Sequence, residues 1–247
     1  MTYCLALKVE SGLVFCSDSR TNAGPDRVST FSKMHRFSNP GERNVVLLSA
    51  GNLATTQAVV EEIQRDLKEE ATRNLFSMSY LSDVADYVGQ LSLEVQKKYA
   101  PAGEEAGFNA EATFILGGQI AGDEQQLYLV YAEGNHIRAS SQHPYLQIGE
   151  SKYGKPILDR IIDPETGPEI AMRCALVSMD STMRSNVTVG PPIELLYIPD
   201  GDLANQGQYR KFEQDSKYLI ALRESWNEEI VEAFKRLPVL PEDFVVQ

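Results

Sequence analysis

Thr2-Tyr3-Cys4-Leu5-Ala6-Leu7-Lys8-Val9-Glu10-Ser11-Gly12-Leu13-Val14-Phe15-Cys16-Ser17-Asp18-Ser19-Arg20 reads as a β-hairpin. Tyr3, Leu5, Leu7 and Val9 alternate with Thr2, Cys4, Ala6 and Lys8, the period of a strand. Glu10-Ser11-Gly12 supplies the turn, and Leu13 to Ser19 the return strand. Thr21 to Arg27 then reads as a loop, Val28 to Phe37 as extended chain, and Asn44 to Ala50 as a buried strand. Leu53, Val60, Ile63 and Leu67 mark one helix face, and Leu81, Val84, Val88, Leu91 and Val95 a second. Pro101 to Gly107 is expected as a loop. Strands are expected over 112–120, 125–132, 137–140, 145–149 and 193–198. Short helices are expected over 155–162 and 169–179, and a late one runs through Leu219, Leu222, Trp226, Ile230 and Leu237. Strands and helices come in blocks, which favours a layered α+β fold over a doubly wound parallel sheet. Nothing in residues 1–247 reads as a linker, so one domain is expected, with a helical extension from about 200.

Composition excludes several classes. The formal net charge is −12, which repels phosphates and makes nucleic acid or an anionic membrane a poor partner. No apolar run approaches the ~20 residues of a membrane helix, and no signal peptide is read at the start. Cys4, Cys16 and Cys174 form no C-x-x-C pair, which fits a reducing cytoplasm. Gly149-Glu150-Ser151-Lys152-Tyr153-Gly154-Lys155 resembles a phosphate loop, but Pro156 stands where a magnesium-binding hydroxyl is required. That run is therefore read as a loop opening a helix. His35, His136 and His143 show no metal spacing, and no cofactor is expected.

Thr2 directly follows Met1. If Met1 is removed, the chain begins with a residue that carries its own nucleophile and its own base, the hydroxyl and the α-amine. A free α-amine titrates near ~7.7–8.0, so part of it is unprotonated at neutral pH.

The stretch from Thr2 to Gly24 resembles the opening of proteasome β-subunits. There too an N-terminal threonine begins a strand, a glycine turns it, and the return strand ends in Asp-Ser-Arg. Phe31-Ser32-Lys33-Met34-His35 is similar to the family's lysine segment, and Ser49-Ala50-Gly51 to its strand end before the first long helix. Within the family, Cys4 to Val9, Gly149 to Arg160 and the C-terminal extension resemble the bacterial ancestral β-subunit branch, Anbu. The resemblance implies a four-layer αββα sandwich and a threonine-type peptidase working as a large homo-oligomer without a cofactor. Thr2 would be the nucleophile, Asp18 would hold Lys33 beside it, and the Gly51 N–H would receive the oxyanion. Ser151 and Asp180 stand where the family's two supporting loops, Gly-Ser-Gly and Asp-x-x-Ser-Gly-Gly, would place a serine and an aspartate. The surrounding residues of both loops depart from that pattern. The apolar stripe of Leu81 to Tyr99 could serve a neighbouring subunit. A hydrolase of small amides or short peptides, and a non-catalytic assembly subunit, stay open beside the peptidase. So does the existence of an ATPase partner.

Overall fold

The structure is a computed structural model that describes residues 1–22, 28–104 and 109–241. Its elements in chain order are β1 (Tyr3–Val9), β2 (Gly12–Asp18), β3 (Arg20–Asn22), β4 (Val28–Thr30), β5 (Met34–Asn39) and β6 (Arg43–Gly51). Then come α1 (Leu53–Lys68), α2 (Leu81–Glu104), β7 (Ala112–Ile120), β8 (Gln126–Val130), β9 (His136–Arg138) and β10 (Tyr145–Gly149). The chain ends with α3 (Lys155–Ile161), α4 (Pro168–Ser185), β11 (Ile193–Pro199), β12 (Gln208–Phe212) and α5 (Lys217–Lys235). It divides into two compact units, Met1–Gln214 and Asp215–Gln247.

The first unit is built on two antiparallel sheets. One runs β10-β1-β2-β11-β12 and the other β5-β6-β7-β8-β9. Strand alternation sorts the apolar side chains into layers. On β6, Val46, Leu48 and Ala50 join Cys4, Ala6, Phe15, Ile148 and Leu196 between the sheets. Val45 and Leu47, on the opposite face, pack with Val59, Ile63, Val84 and Val88 of α1 and α2. Both faces of β6 are thus covered, which is why Val45-Val46-Leu47-Leu48 is continuously apolar. On the far side α4 packs on β1 and β2, and α3 packs on α4. The Tyr3 hydroxyl shares a 2.7 Å hydrogen bond with Ser178 Oγ across that interface. The layers are therefore helix, sheet, sheet, helix, the αββα sandwich expected. The aromatic ring of Phe15 seats against β7 because Gly117 has no side chain there. A Cβ at that position would lie 2.7 Å from the ring's Cε1.

Several elements differ from their reading. The extended run 28–37 breaks into β4 and β5, and Phe31 to Lys33 leaves the ladder between them. Ser32 Oγ accepts from Met34 N at 3.3 Å within this break, which frees Lys33 to turn inward. The helical backbone of α2 carries past Pro101 to Glu104, and residues 105–107 of the expected loop lie outside the described residues. The expected loop at Asp180 is not a loop: α4 continues to Ser185, and Asp180 sits within it, buried. No glycine or proline interrupts Asp180 to Ser185, and the buried positions Ala171, Cys174, Ala175, Ser178 and Thr182 keep helical spacing to the end. The β12 strand was hidden by its polar run Gln208-Tyr209-Arg210-Lys211, suited to an exposed edge.

Candidate active site

Thr2 stands at the head of β1, where two neighbouring strands converge on it. The β10 strand pairs with β1 in the register Tyr3↔Gly149, and Glu150 N donates to the Thr2 carbonyl at 2.7 Å. Gly149 has φ +80°, and a Cβ there would lie 2.0 Å from that same carbonyl oxygen. Glycine is required for so close an approach. On the other side β2 pairs Cys4↔Ser17, which brings Asp18 beside the Tyr3 amide.

Asp18 is completely buried, and its oxygens have three donors. Oδ1 accepts from Tyr3 N at 3.0 Å and from Lys33 Nζ at 2.6 Å, while Oδ2 accepts from Gly190 N at 3.2 Å. Lys33 is 5% exposed, and its ammonium also donates to Arg20 O at 2.8 Å. Ser49 N donates to Lys33 O at 3.0 Å and fastens this segment to the edge of β6. An ion pair taken out of water holds only when both partners keep hydrogen bonds, as these do. Burial pushes the Asp18 carboxyl up from its ordinary range, and the Lys33 cation with the two amide donors opposes that. The α-amine at Met1 is held below its ordinary value, first by partial burial and then by the Lys33 cation, with Asp18 and Glu150 opposing.

These groups border a cleft of about 640 Å³ lined by Met1, Thr2, Lys33, Ser49, Gly51 and Gly149, among others. Gly51 has φ +112°, and its Cβ would meet Glu111 O at 2.4 Å. It ends β6 and is followed by Asn52, the N-cap of α1, whose Oδ1 accepts from Thr55 N at 3.2 Å. The partial positive charge of that helix end faces the cleft's rim. Thr2, Asp18, Lys33 and Gly51 are thus brought together. Ser151 and Asp180 do not line this cleft. Ser151 is tied by its carbonyl to Gln147 Nε2 at 3.3 Å, in the turn leading to α3. Among the described residues no cluster of three or more His, Cys, Asp or Glu side chains could hold a metal ion.

Two buried carboxylates at the site escaped the sequence reading. Glu150, 8% exposed, accepts from Asn186 Nδ2 at 3.0 Å. Glu194, 5% exposed, accepts from Ser32 Oγ at 2.8 Å, Tyr209 OH at 2.7 Å and Ser19 Oγ at 3.2 Å. It thereby tethers the residues flanking both Asp18 and Lys33. Its signal was a lone carboxylate within the apolar run Ile193 to Ile198; Glu150 was the lone carboxylate directly after a buried strand.

The two-sheet, four-layer architecture with a threonine at the head of its first strand defines a proteasome-type subunit. Residues 2–198 match the family described as proteasome subunit. Among solved structures, the ancestral β-subunit Anbu from Yersinia bercovieri is 43% identical, with a TM-score of 0.90 over 97% of this chain and 99% of that one. A helical assembly of the Anbu complex from Pseudomonas aeruginosa is 41% identical, with a TM-score of 0.92 over 98% and 100%. An Anbu (Gly-1) mutant from Hyphomicrobium sp. strain MC1 is 38% identical, with a TM-score of 0.89 over 98% and 100%. No curated protein matches the chain. The chain belongs to the proteasome-subunit family, in its ancestral β-subunit (Anbu) branch.

Proposed function

We propose that this chain is a threonine-type amide hydrolase acting through Thr2 once Met1 has been removed. The observation that carries the reading is the buried Lys33–Asp18 pair, 2.6 Å long, beside a threonine at the mouth of a cleft. Buried ionised groups in a cleft tend to mark function. Thr2 Oγ attacks the amide carbon of a peptide, and its proton passes to the α-amine. The Lys33 cation favours the alkoxide-like oxygen and keeps the amine neutral before attack. The Gly51 N–H, at the end of β6 just before the α1 cap, receives the negative oxygen of the tetrahedral intermediate. The carbon–nitrogen bond breaks, the amine's proton leaves with the nitrogen, and water hydrolyses the acyl-enzyme.

The work is assigned to a homo-oligomer, because a relative 41% identical is solved as a helical assembly. The three cysteines are free and buried, which suits a reducing, cytoplasmic location. The test is a hydroxyl-directed covalent probe followed by peptide mapping, run beside unfolded protein, short peptides and small amides. Labelling at Thr2 with peptide turnover is expected. Turnover of small amides alone would replace the peptidase reading with a small-amide hydrolase. An unlabelled Thr2 with no turnover of any substrate would leave an assembly subunit.

A further inference from the structure

Glu194 sets a carboxylate where β11 otherwise carries core residues. Strand alternation turns it to the face that also bears Leu196 and Ile198, between the two sheets. It is 5% exposed, yet its hydrogen-bond partners among the described residues are neutral hydroxyls. Lys211, opposite it on β12, pairs instead with Glu213 at 3.2 Å, and the Lys33 ammonium is engaged by Asp18 and the Arg20 carbonyl. An anion taken out of water without a cation is costly, so packing alone does not account for it. Its geometry does. A carboxylate offers acceptors only, on both oxygens, and can fix several hydroxyl donors at once. Oε2 accepts from Ser32 Oγ at 2.8 Å and from Ser19 Oγ at 3.2 Å, while Oε1 accepts from Tyr209 OH at 2.7 Å. Ser19 follows Asp18 and Ser32 precedes Lys33, so a single oxygen atom joins the two segments that carry the ion pair.

We infer that Glu194 is a positioning residue: it holds Lys33 in place beside Asp18, and it makes that placement depend on β12, the edge strand that carries Tyr209. This rests on the hydrolase reading above. Residues 31–33 belong to no strand, and the ladder resumes only at Met34↔Leu48. Phe31 N donates to Ser19 O at 2.9 Å and Ser49 N to Lys33 O at 3.0 Å, one bond at each end of the segment. Between them the Ser32 side chain ties it to β11, and its 2.8 Å bond to Glu194 is shorter than its 3.1 Å contact with Met34 O. A lysine fixed 2.6 Å from Asp18 gives up much side-chain freedom, so its segment must be held from outside the pair. Tyr209 does not line the cleft; it is 37% exposed, with the Arg36 guanidinium 4.2 Å above its ring. Since β12 pairs only with β11 in its sheet, a change in how that edge is held reaches Glu194 through one phenol hydroxyl.

The experiment reads Lys33 itself as well as turnover. Assembled protein processed to Thr2 is labelled with trace acetic anhydride, and acetylation of Lys33 is quantified by mass spectrometry against the exposed Lys152. Glu194→Gln keeps the shape but presents an NH2 to hydroxyl donors. It should lower kcat about tenfold, change KM less than about twofold and raise Lys33 labelling several-fold, because a small misplacement suffices. Glu194→Asp keeps both acceptor oxygens and should recover part of each effect. Tyr209→Phe keeps the ring beside Arg36 and removes the hydroxyl. It should also raise Lys33 labelling and lower kcat about threefold, although Tyr209 does not line the cleft. A Glu194→Gln protein that melts lower yet keeps wild-type kcat and Lys33 labelling has lost packing alone, and overturns the proposal. Should Glu194→Gln not fold, Tyr209→Phe is read in its place, and unchanged Lys33 labelling there rejects it. Raised Lys33 labelling in these variants, in a protein whose wild type turns over no substrate, would support the hold of Glu194 on Lys33 and sink the hydrolase reading instead.

Discussion

At the residue scale, the site is a set of charges that depend on one another. Lys33→Ala and Asp18→Asn should each lower turnover about a hundredfold or more. The double variant should lose little beyond either, because the groups act as one unit. The two singles should differ in stability. Lys33→Ala leaves the Asp18 carboxylate buried and unpaired, a loss of about 3–5 kcal/mol. Burial already raises the Asp18 pKa, so a proton on it favours the folded state, and that contribution fades as pH rises through its folded value. The Lys33→Ala deficit should therefore shrink as pH falls into the mildly acidic range, and thermal melts across pH will read this. Full activity in Lys33→Ala would remove the role assigned to it. Thr2→Ser should keep partial activity and Thr2→Ala none. Protein retaining Met1 should be inactive until methionine aminopeptidase treatment, because an amide nitrogen is no base. N-terminal mass spectrometry paired with peptide hydrolysis on the same samples decides this. Equal activity with and without Met1 would contradict the mechanism.

At the element scale, β1 is pinned at its first residues by contacts to both neighbours and to α4. Tyr3 OH bridges Ser178 Oγ at 2.7 Å and Gln147 Nε2 at 2.6 Å. Tyr3→Phe leaves the fully buried Ser178 hydroxyl without this partner, a destabilisation of about 1–3 kcal/mol visible in denaturant unfolding. An unchanged midpoint would mean that water replaces the phenol. Gly149→Ala places a methyl 2.0 Å from the Thr2 carbonyl oxygen. The head of β1 must shift, so activity should collapse while circular dichroism retains the mixed α+β signature. Wild-type kinetics in Gly149→Ala would show that the register at Thr2 is not critical.

At the scale of the whole molecule, the stripe of α2 is not available to a neighbour. Leu81, Val84, Val88 and Val95 lie in the core of their own subunit, packed with β6 and β7 residues. Exposed apolar side chains are found instead in the second unit, where Ile230 is 47%, Phe234 73% and Leu237 58% exposed. Light scattering at micromolar concentration should report a multi-subunit mass, and a monomer would sink the assembly reading. Phe234→Glu combined with Leu237→Glu should lower that mass while leaving the thermal unfolding of the first unit in place. An unchanged mass would assign the contacts elsewhere.

The amino-acid sequence determined by itself what depends on short-range periodicity: the β1–β2 hairpin, the continuous apolar run of β6, and the faces of α1 and α2. It also determined the negative charge and the Met1-Thr2 start from which the nucleophile was read. Asp18, Lys33 and Gly51 were legible because the resemblance supplied their context. The tertiary structure alone decided how Lys33 leaves its strand to reach Asp18, how far α4 extends past Asp180, and which residues flank Thr2. Asn186 stands 36 positions from Glu150, and Glu194 stands 162 from Ser32. No local pattern encodes such pairs, since their hydrogen bonds exist only once the two sheets and α4 have packed and excluded water.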